Sequence, residues 1–384
     1  MTEVLILVAL GFAWVGHAYI WTAVLNDTYA RPYSKALLKP WRHFTGLVIL
    51  AFPLIPLSWL LLEWGTDHGA FLILWSGYYL AACFYAGVIE FPIATWIRYR
   101  QRPPKCVVSE STHTLDLKQE LGPEVVGDGK GQRAAKLSFN CIFKVDFTEL
   151  TLALPNLPPA LDGLTILHLT DVHYHGTPSR SFHERVLSEV QNRWPQPDLV
   201  CLTGDYVDTD EHHAWIGPLL GQLRGREGNF AILGNHDSLH HPEQVRMSLV
   251  EAGCAVLGNG WKQVPIRGVP CLLAGHEGPW FRPPNMEKPP ESAFRLALSH
   301  TPDNVEWGVR HEFNLMLCGH VHGGQIRVPV IGSIFVPSVY GRRYDMGVFE
   351  SGGMTMVVSR GLSGKEPLRF RCHPQVMLLK LVKG

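Results

Sequence analysis

Three long apolar stretches open the chain, and a β-rich alternation follows them. Val4 to Leu25 is nearly uncharged, Phe44 to Leu62 is a second apolar run, and Phe71 to Ile97 is a third, interrupted only by Glu90. Each approaches or exceeds the roughly 20 residues that cross the hydrocarbon core of a bilayer. Trp and Tyr gather toward their ends, where amphipathic rings settle at headgroup depth. The pattern predicts a membrane domain over residues 1–105 with about three transmembrane helices. Pro53 and Pro56 mark the second run as kinked or re-entrant rather than straight. A cleaved leader fits poorly, because Met-Thr-Glu carries no basic group and two more apolar runs follow.

Past Pro103-Pro104 the pattern changes. Residues 106–145 are polar, with GDGKGQ in the middle, and read as a linker or an irregular pair of strands. From Leu164 onward short apolar runs alternate with helical periods. LTILHLTD, DLVCLTGD, NFAILGNHD, RLALSH, NLMLCGH, MTMVVSRG and QVMLLKL read as strands, and SRSFHERVLSEVQNRW as a helix with Ser at its start. Strands separated by helices predict a layered α/β domain over residues 146–384.

Charge orients the membrane part. Arg31, Lys35, Lys39 and Arg42 follow the first run, and Arg98, Arg100, Arg102 and Lys105 follow the third. The connection between runs two and three has Glu63 and Asp67 and no base. Three spans place both basic segments on one side, and the excess of Lys and Arg makes that side cytoplasmic. The expectation is a multi-pass protein of the inner (plasma) membrane, with the α/β domain in the cytoplasm. Lys plus Arg and Asp plus Glu both number 34, so the formal charge is zero and nothing argues for a nucleic-acid partner. The eight Cys form no CxxC pair, and several stand inside apolar runs, as buried free thiols do.

Five polar motifs stand at the carboxyl ends of five predicted strands: Asp171-Val-His173, Gly204-Asp205, Gly234-Asn235-His236-Asp237, Ser299-His300 and Gly319-His320-Val-His322. Ligand crevices of open α/β sheets lie outside those ends, so the motifs converge. Carboxylate, imidazole and amide carbonyl without thiolate suit Mn, Fe or Zn. DxH and HxH place two ligands on one face of an extended segment. Gly204, Gly234 and Gly319 precede ligands where the backbone turns out of a strand, and Asp205 is a natural bridging carboxylate. Two divalent ions about 3.5–4 Å apart would neutralise a phosphate ester and acidify a shared water.

At these residues the sequence resembles the calcineurin-like metallophosphoesterase superfamily, whose pattern runs DxH, GDxxD, GNHD/E, H, GHxH. The resemblance implies a four-layer αββα sandwich. It implies Asp171, His173, Asp205 and His322 on one metal, and Asp205, Asn235, His300 and His320 on the other. His236 would be the acid assisting the leaving group, held by Asp237 or a neighbouring carboxylate, and Asp208 would orient ligands. A metal-bridged hydroxide is the implied nucleophile, with Mn²⁺ first among the metals. LPPALDGLTILHLTDVH, GHVHGGQIRVP, GRRYDMG and SRGLSGKEPLRFRCHPQV look like the membrane-associated branch, which includes transmembrane proteins with a metallophosphoesterase domain and a bacterial UDP-2,3-diacylglucosamine pyrophosphatase of lipid A synthesis.

The expected substrate is therefore a phosphodiester or pyrophosphate, lipid-linked and met at the bilayer. A broad phosphodiesterase or phosphatase for soluble substrates is the alternative within the enzyme class, and a non-catalytic membrane scaffold the alternative outside it. Arg327, Arg343 and Arg360, together with Arg342 and Arg369, are candidates to fork onto phosphate oxygens. PWFRPPNMEKPP, residues 279–290, is a candidate lid.

Overall fold

The structure, a computed structural model, describes residues 1–61 and 67–384. Chain contacts divide them into two units. One comprises Met1–Gln101 with Pro329–Arg343, the other Arg102–Val328 with Tyr344–Gly384.

The first unit is helical. Its elements are α1 (Thr2–Tyr29), α2 (Lys35–Leu50), α3 (Leu54–Leu61), α4 (Asp67–Tyr85) and α5 (Phe91–Arg100). A single wide turn, Ala86–Glu90, joins α4 to α5 without breaking the rod. Among the described residues, two helices are long and apolar enough to cross a bilayer: Thr2–Tyr29 and Leu74–Arg100. The second apolar run, as far as it is described, turns at Ala51–Pro53 and is shared between α2 and α3, where Pro53 removes an N–H donor. Glu63 of the expected acidic connection lies outside the described residues.

Side-chain pairs give the directions inside this unit. Phe12 meets Phe84 and Tyr19 meets Phe91, so α1 and the α4–α5 rod run parallel. Tyr29 reaches the Leu38 carbonyl and Trp14 the Ile49 carbonyl, so α2 runs back antiparallel to α1. Gly16 and Gly87 let α1 and the rod touch: a Cβ on Gly16 would lie 2.5 Å from the Gly87 nitrogen. One polar chain is buried there. Trp21 donates to the Tyr79 hydroxyl at 2.9 Å, Tyr79 lies 2.5 Å from His17 Nδ1, and His17 Nε2 lies 3.0 Å from the Val48 carbonyl. Every member has a partner, as a polar group in an apolar bundle requires.

The second unit holds two sheets. Its elements are β1 (Val107–Asp116), α6 (Leu117–Leu121), α7 (Gln132–Ala135), β2 (Lys144–Leu154), β3 (Leu164–Leu169), α8 (Arg180–Arg193), β4 (Leu199–Leu202), α9 (Ile216–Leu220), β5 (Gly228–Ala231), α10 (Pro242–Glu251), β6 (Cys254–Val256), β7 (Trp261–Ile266), β8 (Val269–His276), β9 (Phe294–Ser299), α11 (Val305–Arg310), β10 (Leu315–Cys318), the short β11 (Arg327–Val328), β13 (Gly347–Ser351), β14 (Met354–Val358) and β15 (Gln375–Lys383); β12 (Gly332–Ser333) falls in the helical unit. Seven strands form one sheet in the order β1-β2-β15-β3-β4-β5-β6, and six form another in the order β13-β14-β10-β9-β8-β7. The strands β3 to β6 pair in parallel, as do β8, β9, β10 and β14.

Why the strands are nearly continuous apolar runs is visible in the packing. One core takes Ile166, Leu199 and Leu379 from the first sheet and Leu273, Leu296 and Leu317 from the second. On the far face of the first sheet, Leu167, Val200 and Ala231 meet Val186 of α8, Leu219 of α9 and Leu249 of α10. Strands covered on both faces lose the polar alternation of half-exposed ones. Residues 106–145 are ordered: β1 pairs along β2 as the outer strand of the larger sheet, with Thr114 Oγ1 2.6 Å from Asp146 Oδ1. Its burial is low along its length, which explains why the sequence there reads as a linker. All eight Cys are buried free thiols.

Candidate metal centre

The five motifs do follow five strands, but the strands belong to two sheets. Asp171-Val-His173, Gly204-Asp205 and the Asn235 motif follow β3, β4 and β5 of the larger sheet, while His300 and the His320 motif follow β9 and β10 of the smaller. The crevice lies where the carboxyl edges of the two sheets meet.

Extended geometry is not what brings the paired ligands together. Asp171, His173, Asp205, His320 and His322 all have left-handed backbones, with φ of 54°, 45°, 57°, 70° and 51°. They lie beyond the strand ends, in tight turns. Non-glycine residues in this region cost of order 1–3 kcal/mol each, and such strain persists where surrounding structure over-determines it. Here it does: Asp171 N–H donates to the Gly204 carbonyl and His173 N–H to the Asp205 carbonyl, at 3.0 Å each. Gly204 itself has a φ of 95°, which only glycine adopts freely. Gly319 has no such backbone and is needed for space: a Cβ there would lie 2.4 Å from Asp171 Oδ2.

The side chains close into two groups. Asp171, His173, Asp205 and His322 present ligand atoms within 4.8 Å of one another, and so do Asp205, His300 and His320. Asp205 belongs to both. Its Oδ1 accepts the His236 N–H at 2.8 Å. Its Oδ2 is buried with no hydrogen-bond partner, 3.5 Å from His173 Nε2 and 3.4 Å from His300 Nε2. A buried carboxylate oxygen without a donor is costly, and a cation between the imidazoles satisfies it. Asn235 Oδ1 joins the second group, 3.0 Å from His300 Nε2 and 2.9 Å from His320 Nδ1.

The imidazoles are turned by partners on their far side. His300 Nδ1 lies 2.7 Å from the Thr203 carbonyl, and His322 Nδ1 lies 3.1 Å from the Ser363 carbonyl. Each contact commits Nδ1 and aims Nε2 inward, the arrangement that fixes the tautomer of a metal-ligating histidine. Asp208 spans two rings, with Oδ2 3.1 Å from His173 Nδ1 and Oδ1 against His236 Nδ1. Burial alone would depress His173 and raise Asp208. Charges win in both cases: Asp208, with Asp205 and Asp171, lifts His173 to about 9, and His236 with His173 holds Asp208 well below the usual carboxylate range. Asp205 is likewise kept well below that range: burial raises it, and His300, His236 and His173 outweigh the burial.

Two sequence expectations are refined here. Asp208, not Asp237, holds His236. Asp237 instead accepts backbone N–H groups of Asp205, Tyr206 and Gly234 at 2.8 Å each, tying the second motif to the third. Two of the three arginines expected to meet substrate are ion-paired within the fold. Arg327 Nη1 donates to Asp345 at 2.6 Å and to the Gly323 carbonyl, Arg360 Nη2 donates to Asp146 at 2.9 Å, and Arg343 belongs to the helical unit. These ion pairs satisfy the guanidiniums within the fold. Arg369 is fully buried and donates to the carbonyls of Arg360, Gly361 and Ser363, holding the loop that turns His322.

Trp280 was not singled out by the sequence. Its ring lies 4.7 Å from that of His320 and 5.6 Å from that of His300, so part of the Pro-rich stretch covers the second group. Its setting among prolines, PWFRPP, was the one available signal.

Comparison with known proteins agrees with this geometry. The profile described as calcineurin-like phosphoesterase matches residues 164–324. The chain is 31% identical over 253 residues to the metallophosphoesterase YkuE of Bacillus subtilis, covering 62% of this chain and 85% of that protein. It is 33% identical over 226 residues to the phosphodiesterase YaeI of Escherichia coli, covering 56% and 82%. It is 28% identical over 196 residues to a transmembrane protein with metallophosphoesterase domain of Danio rerio, covering 46% and 44%.

Proposed function

Because the chain belongs to the calcineurin-like metallophosphoesterase family, a class of phosphoester hydrolases that bind divalent metals, we propose that it hydrolyses a phosphodiester or pyrophosphate bond at a dinuclear centre. Asp171, His173, Asp205 and His322 would hold one ion, and Asp205, Asn235, His300 and His320 would hold the second. The observation that carries this reading is Asp205 Oδ2, a buried and unsatisfied carboxylate oxygen shared by both ligand groups. When bound, the ions supply charge neutralisation of the phosphate and a water of lowered pKa. The thiol-free donor set, three oxygen donors and four imidazoles, is compatible with Mn²⁺, Fe or Zn, and Mn²⁺ is the ion we propose.

The chain's own residues do the rest. Asp208 commits His236 Nδ1 and leaves Nε2 to hold a proton. As the water oxygen bonds to phosphorus and the P–O bond to the leaving group breaks, that proton passes to the departing oxygen, a transfer worth about 10²–10⁴-fold. Asp208 also locks His173, so one carboxylate sets both the first ligand group and the acid. We read the two sheets with α8–α10 outside one and α11 outside the other as the four-layer sandwich of the family.

We further propose membrane attachment with the catalytic domain, residues 146–384, in the cytoplasm, and a lipid-linked substrate of the UDP-2,3-diacylglucosamine type. Two apolar helices of spanning length support attachment. The course of α2, antiparallel to α1, supports a broken middle crossing, which puts Arg31–Arg42 and Arg98–Lys105 on one side. The name of the zebrafish relative points the same way.

The test uses detergent-purified full-length protein with Mn²⁺, and its Asn235→Ala and His236→Ala variants. Release of UMP from UDP-2,3-diacylglucosamine, lost in Asn235→Ala and at most lowered in His236→Ala, supports mechanism and substrate together. Cleavage of a chromogenic phosphodiester alone keeps the mechanism and points to the soluble-substrate reading. Inactivity on both, with no bound metal, sinks the hydrolase assignment.

A further inference from the structure

The stretch between β1 and β2, polar in overall composition, carries an exposed apolar face in the α/β unit. Leu137 and Phe139 keep 40% and 55% of their surface in solvent, and Ile326 keeps 41%. The Phe139 ring stands at a right angle to that of Phe370, with centres 6.0 Å apart, and Phe370 pairs with Ile326 in a parallel bridge. Leu137 belongs to the same turn, since its carbonyl accepts the Asn140 N–H at 3.1 Å. Bases lead into this face. Lys130, Arg133 and Lys136 are exposed, and no Asp or Glu occurs between Asp128 and Asp146.

The turn is held in place. Asn140 Nδ2 donates to the Ala134 carbonyl at 2.9 Å and to the Pro367 carbonyl at 2.7 Å, and its Oδ1 accepts the N–H groups of Ile142 and Arg369 at 3.0 and 2.9 Å. Gly131 packs on Pro367 so closely that a Cβ would lie 2.5 Å from the proline Cδ. Phe370 N–H donates to the Gln325 carbonyl at 2.9 Å, and Arg327 N–H to the Phe370 carbonyl at 3.0 Å. A fixed turn that leaves Leu, Phe and Ile in water is not a frayed linker; exposed apolar clusters rimmed by charge mark interaction surfaces. The loop behind it also carries Arg369, which holds the carbonyls that turn His322, so one loop joins this face to a metal-centre residue.

We propose that residues 130–139, with Ile326 and Phe370, dock the α/β unit onto the anionic surface of the membrane, Leu137 and Phe139 entering the headgroup layer and Lys130, Arg133 and Lys136 meeting lipid phosphates. The assignment rests on the membrane reading above. Charge selects the occupant: three bases with no acid among them complement an anionic leaflet, and Leu and Phe beside them suit the boundary between headgroups and acyl chains. An acidic protein would satisfy the bases and leave the apolar side chains wet. The chain passes into the helical unit at Pro329, three residues after Ile326, so this face is tethered to the part read as membrane-bound. Docking brings the loop of His322 to the leaflet where lipid-linked phosphates lie.

The native thiols are all buried, so Ser138→Cys, exposed between Leu137 and Phe139, takes a maleimide dye at one position. The test places labelled full-length protein in nanodiscs of phosphatidylcholine with or without phosphatidylglycerol, both doped with a doxyl-lipid quencher. Strong quenching is expected in the anionic discs, weak quenching in the neutral ones, and reversal by high salt. K130E/R133E/K136E should lower the ratio of docked to free dye about tenfold or more, as reversal of three charges facing an anionic leaflet implies. K130R/K136R should keep the ratio, and Phe139→Ser, which leaves charge untouched, should lower it. Equal quenching in both discs, or quenching unaltered in K130E/R133E/K136E, would overturn the docking face. A blue-shifted, unquenched dye whose shift follows protein concentration would assign the face to a second copy of the chain instead. Protein that stays monodisperse without detergent and never enters discs loses the membrane reading; quenching on added phosphatidylglycerol vesicles then decides the docking face separately.

Discussion

His173 and Tyr174 are neighbours in sequence, yet they serve opposite sides of the same sheet edge. His173 faces the crevice, ringed by Asp171, Asp205 and Asp208. Tyr174 faces away, its ring 4.8 Å from that of His183, which also meets Phe182 and Trp215. Both histidines are buried. In the crevice carboxylates outweigh burial and lift His173 to about 9, whereas among aromatics burial acts first and drives His183 down to about 3. His183 has neither ring nitrogen hydrogen-bonded. Burial of an imidazole therefore says little about its role; the groups around it decide whether it is a ligand or a neutral filler.

The comparison can be broken or sharpened by substitution. The largest effect is expected from Asp205→Asn, which keeps the shape and removes the shared charge. Activity with saturating Mn²⁺ should fall by about 10³-fold or more, since metal stabilisation amounts to several kcal/mol, and metal content by elemental analysis should drop with it. His236→Ala should cost about 10²-fold on a substrate with a poor leaving group and much less on a p-nitrophenyl ester, whose leaving oxygen needs no proton. Equal losses on both substrates would assign His236 to binding instead. Asp208→Asn should cost about 10–100-fold, as removal of a group that orients a ligand does.

His183→Leu should leave activity nearly intact and change the pH dependence of stability. A histidine whose folded pKa is depressed binds fewer protons in the native state, so it costs stability as pH falls below 6.5. At pH 5 that cost is about 2 kcal/mol, and thermal melts should show the leucine variant gaining on the wild type from pH 7 to pH 5. Asp198 runs the other way. Burial alone would raise its pKa, but Thr165 and Arg267 outweigh burial and lower it, so its contribution is present above the ordinary carboxylate range and is lost as pH falls through the folded value. Arg267→Ala should move the acid-melting midpoint slightly upward, the smallest of these effects.

Much of the centre was legible before any coordinates. The five motifs are each a polar break after an apolar strand, and burial on both faces makes those strands continuous and easy to read. Which sheet each strand would join was not legible, because a short apolar run carries no record of its neighbour. So a second sheet followed only from the implied four-layer sandwich, and nothing in the strands themselves assigned β9 and β10 to the smaller one. The left-handed turns at Asp171 and His320 were hidden too: the Asp171 N–H is held by the Gly204 carbonyl and the His320 N–H by the Asp171 carboxylate, both long-range contacts. The partners of the arginines were not legible for a simpler reason. A guanidinium in a motif-rich stretch is equally suited to substrate and to Asp345 or Asp146, and only tertiary contact distinguishes them. In the helical unit, hydropathy located the apolar runs and Pro53 the break, but not the help given by residues 329–343.

That borrowed segment bears on how the protein is made. The helical unit ends at Gln101 and is completed only by Pro329–Arg343, so 242 further residues (343 − 101) must leave the ribosome before it can close. At synthesis rates of about 5–20 residues per second, this leaves the first helices waiting for roughly 10–50 s. Throughout that interval the segment whose Val336 N–H donates to Asn26 of α1 is missing. Insertion and maturation are then separate events, and the arrival of the last piece reports that most of the α/β chain has been synthesised.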